Sequence, residues 1–290
     1  MKQITALFCL LFSFTLVSGQ KVNGKLLFTQ GQALGITMNL KTNIAQQAMG
    51  QAIDFDLTGS ANHQYKITNA TDDNTTLRHT ISQVGFTFDG MGQKRAFDSR
   101  NEKDMNGQFG KPMKELLSKS FDMIVDPGGK ALMIMPEKLE SVQVDERMAI
   151  ITNMLRDVMD IMHPPQKGKA SFFKVLPDAE VGKGDKWSDT LYSEAIKSIT
   201  DYTLADINDS TIVIDLLANS VTTTKAEMMG NETVTTMNNK TSGKIILDRV
   251  TGIIREKSTS TESNGSTAVM GSSLPVTSKT TITILVKPLF

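Results

Sequence analysis

The chain has 290 residues with 31 basic and 31 acidic side chains, a formal net charge of zero. That balance excludes a strongly basic nucleic-acid binder and an acidic solvating tail. The hydrophobic fraction is 39% and the aromatic fraction 6%, with one Trp; this suffices for one large core or two smaller ones but not for carbohydrate platforms or a membrane aromatic belt.

Residues 1–19 read as an export signal: Lys2, an apolar stretch from Ile4 to Val17, and a small-residue exit at Ser18-Gly19. Cleavage is expected between Gly19 and Gln20, leaving the rest one charge unit negative. Leu16-Val17-Ser18-Gly19 resembles the bacterial lipoprotein processing box, but Gln20 stands where the lipid-bearing Cys is required. The single cysteine, Cys9, lies inside the signal, so the mature chain is expected to lack disulfides and Cys-ligated metals. No later run approaches the ~20 apolar residues of a membrane helix. These features predict a periplasmic or secreted protein, soluble, not lipid-anchored, with no transmembrane segment when mature.

The following stretch reads mostly as strands. Residues 36–58 alternate loosely, with a loop over 46–51. Tyr65–Thr68 and Leu77–Val84 flank the turn Asp72-Asp73-Asn74. Arg95–Gly110 is polar and reads as a surface loop, after which Pro112 opens a short helix through Leu117. Phe121–Val125 and Ala131–Met135 form a hairpin whose Pro127-Gly128 suits a type II turn, Gly128 taking positive φ. Over 141–162, Val144, Met148, Ile151, Leu155, Val158 and Met162 recur at spacings of four and three, predicting a long amphipathic helix that Pro164-Pro165 stops. Strand patterning resumes after 170, clearest at Ile212–Leu216, Lys244–Leu247 and Thr280–Val286.

The expected fold is mainly β (α+β): an antiparallel, curved β-sheet of two related halves with the long helix packed on it. The expected divisions are signal peptide 1–19, N-terminal β half 20–137, helical connection 138–166 and C-terminal β half 167–290. A faint internal repeat underlies the two halves, laying Tyr65 on Tyr202, Asp72 on Asp209, Gln30-Gly31-Gln32 on Lys183-Gly184-Asp185, and the hairpin at Val125–Gly128 on Leu247–Gly252. β meanders with Asx turns produce similar parallels by composition alone, and the residues leave both accounts open.

With these landmarks, "GKPMKELLSKSFDMIVDPGGKAL", "LPDAEVGKGDKWSDT" and "GKIILDRVTGII", nearly all of the mature chain resembles an uncharacterised family of exported bacterial proteins of Bacteroidetes type, many of them lipoproteins. The family is a domain of unknown function, so the resemblance implies no activity and no site residues. More distantly, the layout resembles the half-barrels of periplasmic lipoprotein carriers.

Chemistry-bearing motifs are scarce. His63, His79 and His163 lie far apart in sequence and read as satisfied or exposed side chains. Asp54 and Asp56 share one solvent face of a strand, and Trp187 reads as a core anchor. No nucleophile elbow, zinc-helix or phosphate-loop motif occurs. The expectation is a non-catalytic protein with no metal and no cofactor. Methionine supplies the one positive pointer, because flexible, polarizable side chains suit adaptable apolar surfaces. Met148, Ile151, Leu155, Val158, Met159 and Met162 on the helix, with Met133 and Met135 on the hairpin, form the candidate face for a lipid or other apolar ligand. The alternative is a structural or protein-interaction role in the cell envelope, with envelope proteins as partners and no small ligand.

Overall fold

A computed structural model describes residues 20–48, 51–90, 92–136, 164–228, 231–269 and 272–289. In chain order the strands are β1 (Lys21–Val22), β2 (Ala33–Ala48), β3 (Gln51–Ala70), β4 (Thr75–Gly90), β5 (Gln93–Asp98), β6 (Ser120–Val125), β7 (Ala131–Met135), β8 (Val181–Gly182), β9 (Lys186–Tyr192), β10 (Ile196–Ile207), β11 (Thr211–Met228), β12 (Asn231–Asp248), β13 (Ile254–Val269) and β14 (Ser272–Leu289). Two short helices, α1 (Glu102–Met105) and α2 (Gly110–Leu117), lie between β5 and β6.

Twelve strands form one open antiparallel sheet in the order β7-β6-β4-β3-β2-β14-β13-β12-β11-β10-β9, with β5 paired to β4 off that path. The two halves therefore share a sheet, joined where β14 pairs with β2 from Leu289↔Ala33 to Val276↔Gln46. The landmarks of the internal repeat fall in matching places. The order β7-β6-β4-β3-β2 is followed, beyond β14, by β13-β12-β11-β10-β9. Gly31 N–H donates to Ile67 O (2.9 Å) as Gly184 N–H does to Leu204 O (2.8 Å), and Thr71 N–H donates to Asn74 O (2.9 Å) as Asn208 N–H does to Thr211 O (3.0 Å).

Period-two alternation gives the sheet two unlike faces. Leu34, Ile36, Met38 and Leu40 of β2, with Leu57, Ala61, Tyr65 and Ile67 of β3, point to the buried, inner face. The core is densest at the end of the sheet that holds the turns 70–75, 125–131, 207–211 and 248–254. Two irregular segments strap that end. In residues 20–32, Leu26 N–H donates to Pro127 O (2.7 Å) and Leu27 N–H to Thr251 O (2.9 Å), so one strap links a turn from each half. In the second strap Ser171 N–H donates to Gly129 O (2.9 Å) and Phe173 is fully buried. Each turn depends on a glycine with positive φ, Gly129 (83°) and Gly252 (70°). A Cβ at Gly252 would sit 2.8 Å from Lys25 O, and one at Gly129 2.7 Å from Leu26 Cδ1, so both glycines also admit the strap.

Several expectations are corrected. The α+β assignment gives way to a nearly all-β fold: among the described residues the only helices are α1 and α2, while the predicted helix at 141–162 lies outside them. Among the described residues the core is completed by side chains of the two straps and by Phe109 and Met113, the latter on α2, beside β4 and β5. Arg95–Gly110 is not simply a loop, because Arg95–Asp98 pair with β4 and Phe97 is buried against Phe86 and Phe109. In the β6–β7 turn the positive φ falls on Gly129, not Gly128, with a register shift at Ile124/Val125. That is the pattern of a turn followed by a left-handed bulge residue.

Candidate functional site

Antiparallel pairing sets residues of neighbouring strands side by side on one face. One inner-face row runs Val84, Ala61, Met38, Ile284, Lys257, Ile245, Ile214 and Leu204. Every member but Lys257 is apolar and at most 3% exposed. Lys257 is partly buried and has no hydrogen-bond or ion-pair partner among the described residues. Desolvation holds its ammonium below the ordinary lysine pKa.

Four residues farther along the same strands lies a row of hydroxyls, Thr42, Thr280, Thr261 and Thr241. Their Oγ1 atoms pair as Thr42–Thr280 (3.0 Å) and Thr241–Thr261 (2.8 Å). Beyond it the inner face carries Phe55, Ile44, Ser278, Ser263 and Asn239 as successive cross-strand neighbours, with Val276 two residues past Ser278, and Phe55 stacks on Phe88 with ring centroids 5.9 Å apart. The opposite, outer face is polar at the same level. There Asp89, Asp56, Asn43, Lys279, Glu262 and Lys240 are successive cross-strand neighbours, and Asn43 Nδ2 donates to Asp56 Oδ1. A groove of about 670 Å³ opens across β2, β3, β13 and β14, lined by Asn43–Ala45, Asp54–Asp56, Glu262–Asn264 and Thr277–Lys279.

A second polar feature lies within the packed end. His63 Nδ1 and His79 Nε2 are 3.0 Å apart, with Tyr65 and Phe121 centroids 4.7 and 4.6 Å from the His79 ring. Burial pushes His63 down to about 4, and burial together with the charge of its neighbour pushes His79 down to about 3. The other nitrogens, His63 Nε2 and His79 Nδ1, have no partner among the described residues. One proton serves the shared hydrogen bond, so whichever tautomer holds, one N–H and one lone pair stay unsatisfied. The expectation of separate, satisfied or exposed histidines is therefore corrected, since the β3–β4 register brings the two together.

Among the methionines, Met133 and Met135 of edge strand β7 pair opposite Ile124 and Asp122 and are 47% and 50% exposed. Alternation places them on the outer face, while Met123 and Ile134 turn inward and are buried. Met148, Ile151, Leu155, Val158, Met159 and Met162 lie outside the described residues, as does Gly19; Gln20 is the first described residue and is exposed. Trp187 stacks on Tyr202 (5.5 Å, 12°) and donates its Nε1–H to Val175 O (3.2 Å), tying the second strap to the sheet. Among the described residues no three His, Cys, Asp or Glu side chains gather closely enough to hold a metal ion, and no helix is long and apolar enough to cross a membrane.

No curated protein matches the chain. Among solved structures, one concerned with lipid–protein interactions in lipovitellin is similar at 11% identity and a TM-score of 0.48, covering 88% of this chain and 25% of that one. This chain thus spans about a quarter of the length of that relative. DynF from the dynemicin biosynthesis pathway of Micromonospora chersina follows at 6% identity and 0.23, covering 92% and 85%. The COG4313 outer membrane channel of Pseudomonas putida F1 is similar at 7% and 0.22, covering 91% and 98%. Likenesses at these TM-scores do not define the fold. The sequence match is narrower and firmer: residues 166–254, from the second strap through β12, match the Family of unknown function (DUF6263).

Proposed function

We propose that the protein is exported and non-catalytic, and that it holds a lipid or other apolar ligand against the inner face of its open sheet. The observation that carries this reading is the set of apolar side chains that β2, β3 and β14 keep on the inner face past the threonine row, Ile44 and Phe55 among them only partly buried. Ile44, Phe55 and Val276 are apolar there, beside Ser278, Ser263 and Asn239 on β14, β13 and β12, while the outer face at that level is a charged ladder. The export signal and the lack of a convergent acid, base and nucleophile among the described residues fit a carrier or receptor more readily than an enzyme.

Mass spectrometry of gently purified protein is expected to find a co-purifying lipid, and the stripped protein is expected to take up an apolar fluorescent probe. An Ile44→Asp substitution puts a charge on the inner face away from the packed end, and should abolish uptake with little loss of stability. Absence of both lipid and probe binding in the wild type would overturn the reading. A second reading, a protein-interaction role, draws on a different place. At edge strand β9 and its neighbours, Tyr192, Ile199, Leu217 and Val221 are large, apolar and exposed, and an open edge is a ready template for strand addition.

A further inference from the structure

We propose that Lys257 is the anchor for the anionic headgroup of an amphiphile whose chain lies on the apolar inner face, so that the ligand is a fatty acid or a similar single-charged lipid. This rests on the inner-face binding proposed above and names the ligand class. Lys257 stands between Ile245 of β12 and Ile284 of β14 in a row that is otherwise wholly apolar and buried. Met, Leu or Ile would fill that position without penalty, whereas an unpaired ammonium among apolar side chains costs the folded protein stability unless an anion meets it. No described carboxylate does so. The nearest acidic residue on its own strand, Glu256, belongs to the other face by alternation. Two residues farther along the same face is Thr259, opposite Gly243 and Ile282, whose hydroxyl is a second donor for a carboxylate or phosphate oxygen. The next residue in that direction, Thr261, is already bonded to Thr241. An ammonium and a hydroxyl, both without a partner among the described residues and bordered by isoleucines, suit one anionic group at the head of an apolar chain. They do not suit a free inorganic anion, which gains nothing from the isoleucines.

The test compares an 18-carbon fatty acid with the alcohol of the same chain, each below its micelle concentration, in displacing an apolar probe from the stripped full-length mature protein at pH 8. The wild type is expected to bind the acid about 10- to 100-fold more tightly than the alcohol, the range of a charge-assisted contact. Lys257→Met should retain alcohol binding and lose the preference, and Lys257→Arg should keep it. Acetate and inorganic phosphate should not displace the probe. Equal binding of acid and alcohol by the wild type, or an undiminished preference in Lys257→Met, would overturn the anchor while leaving inner-face binding intact. Displacement by acetate or phosphate alone would overturn the amphiphile. If neither long-chain compound binds, the anchor and the inner-face reading fall together. The wild-type comparison decides the matter even if a variant fails to fold.

Discussion

Met38, Ile284 and Ile245 lie in one cross-strand row of the inner face, and Thr42, Thr280 and Thr241 in another about 13 Å farther along the same strands. Backbone pairing is continuous through both rows, yet they handle burial differently. The first removes polar atoms from the interior, Lys257 excepted. The second keeps hydroxyls and pairs them, so Thr42 and Thr280 are buried with one hydroxyl donating to the other. The first row is part of the buried core to which Leu26, Phe173 and Leu176 of the straps at 20–32 and 164–180 also belong. The second borders the stretch of face proposed to hold the ligand's apolar chain, whose headgroup is proposed to reach Lys257 in the first row. Hydrogen bonding holds the whole sheet together, but side-chain packing that resists substitution is concentrated at one end of it.

The largest expected effect tests that contrast directly. Phe173→Ala removes a fully buried ring packed on Phe28 and Tyr65, and should cost about 3–5 kcal/mol in urea unfolding. Ile44→Ala, on the far side of the threonine row, should cost less than roughly 1.5 kcal/mol, because a partly buried side chain loses less on truncation. Equal penalties at the two positions would abolish the distinction between the ends.

Acidification should act on the packed end next. The folded-state pKa values of His63 and His79, about 4 and about 3, lie below the ordinary 6.5, so the folded protein binds fewer protons than the unfolded chain in between. The stability contributed by keeping the pair neutral is complete above about pH 6.5 and is lost as pH falls towards 4 and then 3. By pH 5 a loss on the order of 2 kcal/mol for each ring is expected, since a tenfold difference in proton affinity is worth ~1.4 kcal/mol. A His63→Leu, His79→Leu double variant should lack this component, which unfolding curves at pH 7 and pH 5 would reveal.

Smaller effects sharpen the account of the hydroxyl row. Thr42→Val strands the buried Thr280 hydroxyl and should cost about 1–2 kcal/mol, whereas adding Thr280→Val should recover most of it. Failure of the second substitution to compensate would show that the hydroxyls do more than satisfy each other. Least of all, Arg78→Ala deletes an exposed bidentate pair with Asp122 (2.8 Å for each contact) and should leave the melting temperature unchanged within scatter.

The strands were legible because alternation is local. Ile36, Met38 and Leu40 announce an inner face, and Ile212, Ile214 and Leu216 another. The Asp126–Gly129 turn was also legible, although which glycine takes positive φ depends on a bulge that the residue order does not display. The buried histidine pair was not, since sixteen positions separate His63 from His79 and only the β3–β4 register, with its shift at Asn62/His63, sets their rings together. Lys257 was equally hidden. In Arg-Glu-Lys-Ser-Thr it reads as one more solvated charge, and its neighbours Ile245 and Ile284 come from two other strands.

By itself, then, the sequence determined the period of the strands, the positions of the tight turns and the scarcity of catalytic motifs, because each depends on residues within a few positions of one another. Tertiary structure alone decided that the halves share one sheet, that irregular straps seal one end of it, and that a lysine and two histidines stand in apolar surroundings. Those outcomes depend on which strand pairs with which and in what register, and a single-residue slip would carry every one of those side chains to the opposite face.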